Sequence, residues 1–306
     1  MSRVEEALRL AEGKPRSVLG MAAESGPAAF DAFPTEDVRQ LRAAVRPPAR
    51  ELSAAPAMLI PKKTVAATVT RLAPAVEGKI VIDAETSSAS VEEYRRLATG
   101  LHLAQAENGL RALMVSSALP RDGKTLTSTN LALTLSESYK RRVLLIDADL
   151  RRPSLHEVFR ISNSAGLADC LRAGGSSAAP MLQVSSHLTI LPAGPADSSP
   201  MAGLTSDTMR AIITQAREQF DWVIVDTPPV GLISDASFLA SLVDGVLLVI
   251  GAGSTPYAAV QRAVSEFGAD RILGVVLNRV ADDTSSNRYY TEYYGGDRYA
   301  KKDGTS

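Results

Sequence analysis

Cysteine is almost missing from this chain of 306 residues, where Cys170 stands alone. One thiol forms no internal disulfide and builds no cysteine-ligated zinc site. Within Leu167-Ala168-Asp169-Cys170-Leu171 it reads as a small buried apolar residue. Histidine is scarce too: His102, His156 and His187 fall in unrelated segments without metal-ligand spacing. An excess of basic residues is lacking, since 33 Lys and Arg face 34 Asp and Glu for a net charge of −1. That balance argues against the broad basic surface of a nucleic-acid binder. Long hydrophobic runs are missing as well. The longest, Val246 to Ile250, is far short of a bilayer span, and Met1 to Glu6 lacks the apolar core of a signal peptide. The expectation is a reduced, cytosolic, soluble protein. What is present, 45% hydrophobic and 22% charged residues, is enough to bury a core in one large domain or two small ones.

The two ends of the chain differ from its middle. The first eighty residues hold eight of the seventeen prolines and neither tyrosine nor tryptophan, so residues 1–78 read as a mostly disordered Ala/Pro-rich segment. Ser2 to Glu12 is an exception, with Val4, Ala7, Leu8 and Ala11 on one helical face. Two readings of it stay open, a fraying terminal helix and a docking helix. From Lys79 the pattern changes. Lys79–Ile82 reads as a short apolar run, and Ser90–Ala106 as a helix capped by Ser90. Strands are expected at Leu113–Val115, Val143–Ile146, Leu188–Leu191, Val223–Val225, Val246–Ile250 and Ile272–Leu277, and helices at Thr125–Tyr139, Thr205–Phe220 and Pro256–Phe267. Strands apolar throughout are buried on both faces, which predicts a doubly wound, mostly parallel α/β sheet over 79–283. Its ligands bind beyond the carboxyl ends of the strands. Residues 284–306 read as a flexible tail.

The first strand of the sheet runs into Ser116-Ser117-Ala118-Leu119-Pro120-Arg121-Asp122-Gly123-Lys124-Thr125, and a helix follows. This is a phosphate loop with Ala118 where the first glycine usually stands. Backbone N–H groups around Gly123 and the helix start would face phosphates, Lys124 would neutralise β/γ oxygens, and the Thr125 hydroxyl is placed for Mg²⁺. Two more strands end in carboxylates, Asp147-Ala148-Asp149 and Asp226-Thr227-Pro228-Pro229. A carboxylate at the end of a buried strand is costly unless paired or metal-bound. Each alone reads equally as a helix cap; with the loop, the three together point to nucleotide binding.

In the order and spacing of these motifs the chain from Lys79 onward resembles the bacterial tyrosine kinases of capsule and exopolysaccharide synthesis. Ala118–Thr125 looks like that family's Walker A variant, Ile146–Arg151 its Asp-x-Asp-x-Arg motif, Val223–Pro229 its Walker B strand, and Gly274–Val280 its base-binding strand. Five of the eight tyrosines, Tyr289, Tyr290, Tyr293, Tyr294 and Tyr299, fall in the last eighteen residues, like the family's autophosphorylated cluster. Rings in a polar tail need a reason other than packing; phosphorylation is one, a self-sticking or partner-binding tail the other.

The resemblance implies an ATP- and Mg²⁺-dependent protein-tyrosine autokinase. Ala118, Pro120, Asp122, Gly123, Lys124, Thr125 and Leu126 would hold the phosphates, and Asn278 and Arg279 would lie near base or ribose. Thr125, Asp149 and Asp226 would place the metal, and Asp147 would orient or deprotonate the incoming tyrosine hydroxyl. Arg151 reads equally as a phosphate contact and as a surface arginine. A separate membrane polysaccharide chain-length or adaptor protein would recruit the split form to the inner face of the plasma membrane, and a tyrosine phosphatase would reset the tail. Departures are Arg121, where the family commonly has glycine, and Ala98, which replaces the second arginine of the Glu92-x-x-Arg95 helix through which family members form rings. Two rival readings stand beside the kinase. A partition- or septum-positioning ATPase would have a signature lysine where Leu119 stands, and a noncatalytic ATP-binding regulator of export would not label its tail.

Overall fold

The computed structural model describes residues 59–61, 64–66, 72–82, 86–197, 200–230 and 235–280. The Ser2–Glu12 helix and the tyrosine cluster lie outside them. Eight strands make one sheet: β1 (Val65–Ala66), β2 (Ala112–Ser117), β3 (Val143–Asp147), β4 (Leu182–Gln183), β5 (Leu188–Leu191), β6 (Trp222–Asp226), β7 (Gly245–Gly251) and β8 (Ile272–Asn278). Their order is β1-β4-β5-β3-β6-β2-β7-β8, and every pairing is parallel except β4 with β5. The helices are α1 (Ser88–Asn108), α2 (Lys124–Leu133), α3 (Leu155–Phe159), α4 (Leu167–Arg172), α5 (Met201–Leu204), α6 (Asp207–Gln219), α7 (Asp235–Ala240) and α8 (Tyr257–Phe267). No helix among the described residues is long and apolar enough to cross a membrane.

The apolar runs become strands because both sheet faces are covered. Met114, Leu144, Ile146, Val223, Val225, Val246 and Leu248 face one core with residues of α4, α6 and α8. Their neighbours Leu113, Val115, Val143, Leu145, Ile224, Leu247 and Val249 face a second core with residues of α1 and α2. Alternate side chains of a strand point to opposite faces, so a strand between two cores is apolar along most of its length, with its polar positions mainly at the carboxyl end. Each such side chain contributes about 1.5–3 kcal/mol on burial.

The apolar run Lys79–Ile82 is a turn, because Asn130 takes over its backbone: Asn130 Nδ2 donates to Lys79 O at 2.8 Å, and Val81 N–H donates to Asn130 Oδ1 at 3.0 Å. Ile80 is thereby inserted into the second core. Helix α1 starts at Ser88, and its cap is Ser87, whose Oγ accepts from Ser90 N–H at 3.2 Å. The Thr125–Tyr139 stretch is α-helical only to Leu133 and closes in a π-helical turn, Thr134–Ser138.

Part of the segment 1–78, read as mostly disordered, contributes to the sheet and its core. Leu59 and Ile60 are buried in the first core, and β1 pairs with β4. Their backbone is clamped from α6. Gln215 Oε1 accepts the N–H groups of Leu59 and Ile60 at 2.8 and 3.1 Å, and Gln219 Nε2 donates to Ile60 O at 3.0 Å. On α1, Ala98 has no exposed surface. Position 98 therefore faces inward, where an arginine would have to bury its charge, and the outer charges are the Glu92–Arg95 and Glu93–Arg96 pairs.

Candidate active site

Parallel pairing brings the carboxyl ends of β2, β3, β6, β7 and β8 to one edge of the sheet. The phosphate loop leaves β2 there, and Asp147 and Asp226 lie side by side as register partners on β3 and β6. Asp122 holds the loop. Its Oδ2 accepts from Leu119 N–H at 3.0 Å, and its Oδ1 accepts from the Thr255 hydroxyl at 2.7 Å. Thr255 Oγ1 in turn accepts from Gly251 N–H at 3.0 Å, tying the loop to the end of β7. From β8, Asn278 Nδ2 donates to Asp122 O at 2.9 Å. Gly123 has φ 101°, a conformation that favours glycine, and a Cβ there would push the Asn278 amide off Asp122 O.

The remaining loop residues divide by burial. Ala118 packs into the first core and Pro120 is exposed. Leu126 turns a half-buried side chain to the second core, leaving its backbone N–H in the first turn of α2. Arg279 is exposed with φ 59°.

Arg121 is exposed with φ 70°, a left-handed conformation that a side chain strains. A glycine at this position would remove that strain at some entropic cost in the unfolded chain. Arg121→Gly is therefore expected to raise stability by about 0.5–1 kcal/mol, measured by urea denaturation.

At the centre, Lys124 Nζ pairs with Asp149 Oδ2 at 2.8 Å. The side chains are only 12% and 6% exposed. Burial works to lower the Lys124 pKa, but the charges of Asp226 and Asp149 outweigh it and hold it above its ordinary value. The Thr125 hydroxyl donates to Asp226 Oδ2 at 2.7 Å and contacts Ser154 Oγ at 3.0 Å. Asp147, with no exposed surface, accepts three backbone N–H groups: Asp149 on Oδ1 at 3.2 Å, and Ser154 and Leu155 on Oδ2 at 3.0 Å each. It thus caps α3 and shapes the turn that carries Asp149. Burial, with Asp226 beside it, pushes Asp147 up to about 7. Burial likewise pushes Asp226 up to about 6, against the opposing pull of Lys124 and Thr125.

A divalent cation fits this donor set. Asp226 Oδ1 is buried and makes no hydrogen bond of good geometry among the described residues, with the Ser128 hydroxyl near enough to the carboxylate only to favour its charge, while the other oxygen meets the Thr125 hydroxyl. A buried acceptor without a partner is expensive. No cluster of three or more His, Cys, Asp or Glu is arranged for a metal among the described residues, and Mg²⁺ needs none, since it is held by one or two carboxylates with water and phosphate oxygens.

Ser154 and Thr255 are site residues that sequence reasoning left out. Ser154 had a signal, a serine between proline and an apolar helix start, but a signal for a cap rather than for a contact to Thr125. Thr255 had none beyond its place after a buried strand.

Residues 122–296 match the model of the CobQ/CobB/MinD/ParA nucleotide binding domain. The chain is 32% identical over 231 residues to tyrosine-protein kinase YwqD of Bacillus subtilis, covering 74% of this chain and 96% of that one. It is 34% identical over 234 residues to the succinoglycan biosynthesis transport protein ExoP of Rhizobium meliloti, covering 74% of this chain and 29% of ExoP. Among solved structures, the kinase domain of Escherichia coli tyrosine kinase ETK superposes with a TM-score of 0.58 at 33% identity, covering 63% of this chain and 78% of that one. On these matches the chain belongs to the bacterial tyrosine-protein kinases, on a nucleotide-binding P-loop fold.

Proposed function

We propose that this protein is an autokinase that transfers the γ-phosphoryl group of Mg²⁺-ATP to tyrosines of its own C-terminal cluster, Tyr289, Tyr290, Tyr293, Tyr294 and Tyr299. The observation that carries the reading is the buried Lys124–Asp149 pair beside a Thr125–Asp226 hydrogen bond at the mouth of the phosphate loop. Phosphoryl transfer needs positioned charge more than covalent help from the protein. Lys124, released from Asp149, would polarise the β/γ oxygens, with the first-turn N–H groups of α2 around them. Thr125, Asp149 and Asp226 would hold Mg²⁺, which supplies charge neutralisation on the phosphates. The phenolic oxygen would bond to the γ-phosphorus as the bond from that phosphorus to the β/γ bridging oxygen breaks; ADP would leave with that electron pair and the phenol proton would pass to water. Asp147 enters this reading through its neighbours, orienting the turn that presents Asp149, because its own oxygens are held by backbone N–H groups.

The tail has the reach for this role. Strand β8 ends at Asn278 on the site's edge of the sheet, and Tyr289 follows eleven residues later. Eleven extended residues span up to ~35–40 Å, enough for a site on the same molecule or on a neighbouring copy. In this reading a second copy presents the tail, Asn278 and Arg279 border the base, a separate membrane adaptor recruits the chain to the inner face of the plasma membrane, and a tyrosine phosphatase resets it. The similarity to ExoP, a succinoglycan biosynthesis transport protein, supports polysaccharide synthesis as the process controlled.

The test is phosphotyrosine mass spectrometry of the purified chain after incubation with Mg²⁺-ATP, with and without the cytosolic tail of a candidate adaptor. Labels on Tyr289 to Tyr299 are the expected result. ATP hydrolysis without any tyrosine label would leave a regulatory ATPase.

A further inference from the structure

Ser154 stands at the N-cap of α3 and does not use its side chain as a cap. Serine is common there because its oxygen accepts an N–H two or three residues on. In this helix Asp147 does that work instead, accepting Ser154 N–H and Leu155 N–H on Oδ2. The Ser154 hydroxyl is turned the other way, 3.0 Å from Thr125 Oγ1. Thr125 has one proton, and it points to Asp226 Oδ2 at 2.7 Å. The proton between the two hydroxyls therefore belongs to Ser154, which donates to Thr125. A run of hydrogen bonds results, from Asp147 through Ser154 and Thr125 to Asp226, joining the neighbouring strand ends of β3 and β6.

A threonine hydroxyl has two lone pairs and free rotation of its proton. With the proton committed to Asp226 and one lone pair to Ser154, the direction of the second lone pair is fixed. We infer that Ser154 is a positioning residue for magnesium: its hydroxyl aims the free lone pair of Thr125 at the cation that Thr125 and Asp226 hold. This rests on the Mg²⁺-nucleotide reading of the site and not on which tyrosines are labelled. Partners that orient a metal ligand typically change metal affinity by 10–100-fold when removed.

The experiment compares the full chain with Ser154→Ala and Ser154→Thr, following binding of a fluorescent ADP analogue across a Mg²⁺ titration and in excess EDTA. Ser154→Ala is expected to raise the Mg²⁺ concentration for half-maximal binding about tenfold, while metal-free nucleotide affinity stays within about twofold. Ser154→Thr, which restores a hydroxyl, should return the midpoint towards wild type. The thermal midpoint of the nucleotide-free Ala variant should stay close to wild type, since the α3 cap is provided by Asp147. A Mg²⁺ titration of Ser154→Ala that overlays the wild type overturns the assignment, as does an equal loss of affinity with and without metal. Wild-type binding that is itself indifferent to Mg²⁺ overturns the metal reading, and Ser154's role with it.

Discussion

Lys124→Met is expected to reduce ATP-dependent tyrosine labelling by about a thousandfold or more, the scale of losing a charge that stabilises a transferring phosphoryl group. Methionine keeps the length of the side chain and removes the ammonium. Lys124→Arg tests geometry separately: it keeps the charge but replaces a compact ammonium by a planar fork, and is expected to restore little. The same change has a consequence before ATP arrives. Nζ is the cation that balances Asp149, and its charge also opposes the burial of Asp226. Removing one partner of a buried pair leaves the other uncompensated, at a cost of about 3 kcal/mol when the charge cannot escape. Here protonation offers an escape, because Asp226 already titrates near 6. Nucleotide-free Lys124→Met should therefore lose more stability at pH 8 than at pH 5, measured by urea denaturation at each pH. A loss of labelling with an unchanged pH dependence would mean that Lys124 does not balance the carboxylates in the free protein.

The architecture was legible because the strands it needs are unbroken apolar runs. Val143–Ile146 and Val246–Ile250 have no polar position to mark an outer face, and none exists. The site was legible where chemistry is concentrated in few positions, at Gly123-Lys124-Thr125 and at the two strand-end aspartate groups. What escaped depends on contacts between distant residues. Leu59 and Ile60 lie between prolines in an alanine-rich stretch, and Gln215 and Gln219 that hold them are more than 150 positions away. Ile80 sits in a short apolar run, and one asparagine 50 positions on, Asn130, shapes its backbone into a turn. The three aspartates could each be read as a cap or as a ligand, and their contacts differ: Asp147 accepts the N–H groups that open α3, Asp149 pairs with Lys124 and accepts Arg152 N–H, and Asp226 accepts from the Thr125 hydroxyl. Spacing alone cannot show that difference, because all three follow apolar strands.

Asp226→Asn separates the stability of the site from its chemistry. Asp147 and Asp226 are fully buried neighbours, raised from the ordinary aspartate value to about 7 and about 6. A carboxyl whose folded pKa lies above its unfolded value holds its proton longer in the folded state. Between about pH 4 and pH 7 the folded chain thus binds more protons than the unfolded one, and stability falls as pH rises through that window. Above pH 7 the full penalty of two buried carboxylates remains, eased by Lys124. Asparagine can keep the acceptor for the Thr125 hydroxyl and has no proton to lose. The nucleotide-free variant is expected to gain about 1–2 kcal/mol at pH 8, a rise of about 2–4 °C in thermal midpoint, and its stability should fall less steeply between pH 5 and pH 8. Tyrosine labelling should drop by at least a hundredfold at the same time, since the amide cannot neutralise Mg²⁺. Thermal melts across pH, with and without Mg²⁺-ADP, check both halves. The wild type should gain stability on adding Mg²⁺-ADP at pH 8, where the cation relieves the carboxylate repulsion, and the variant should gain much less. A variant that is less stable than wild type at pH 8 would show that Lys124 already neutralises Asp226 in the free enzyme, so that the strand-end carboxylates store no strain for the metal to relieve.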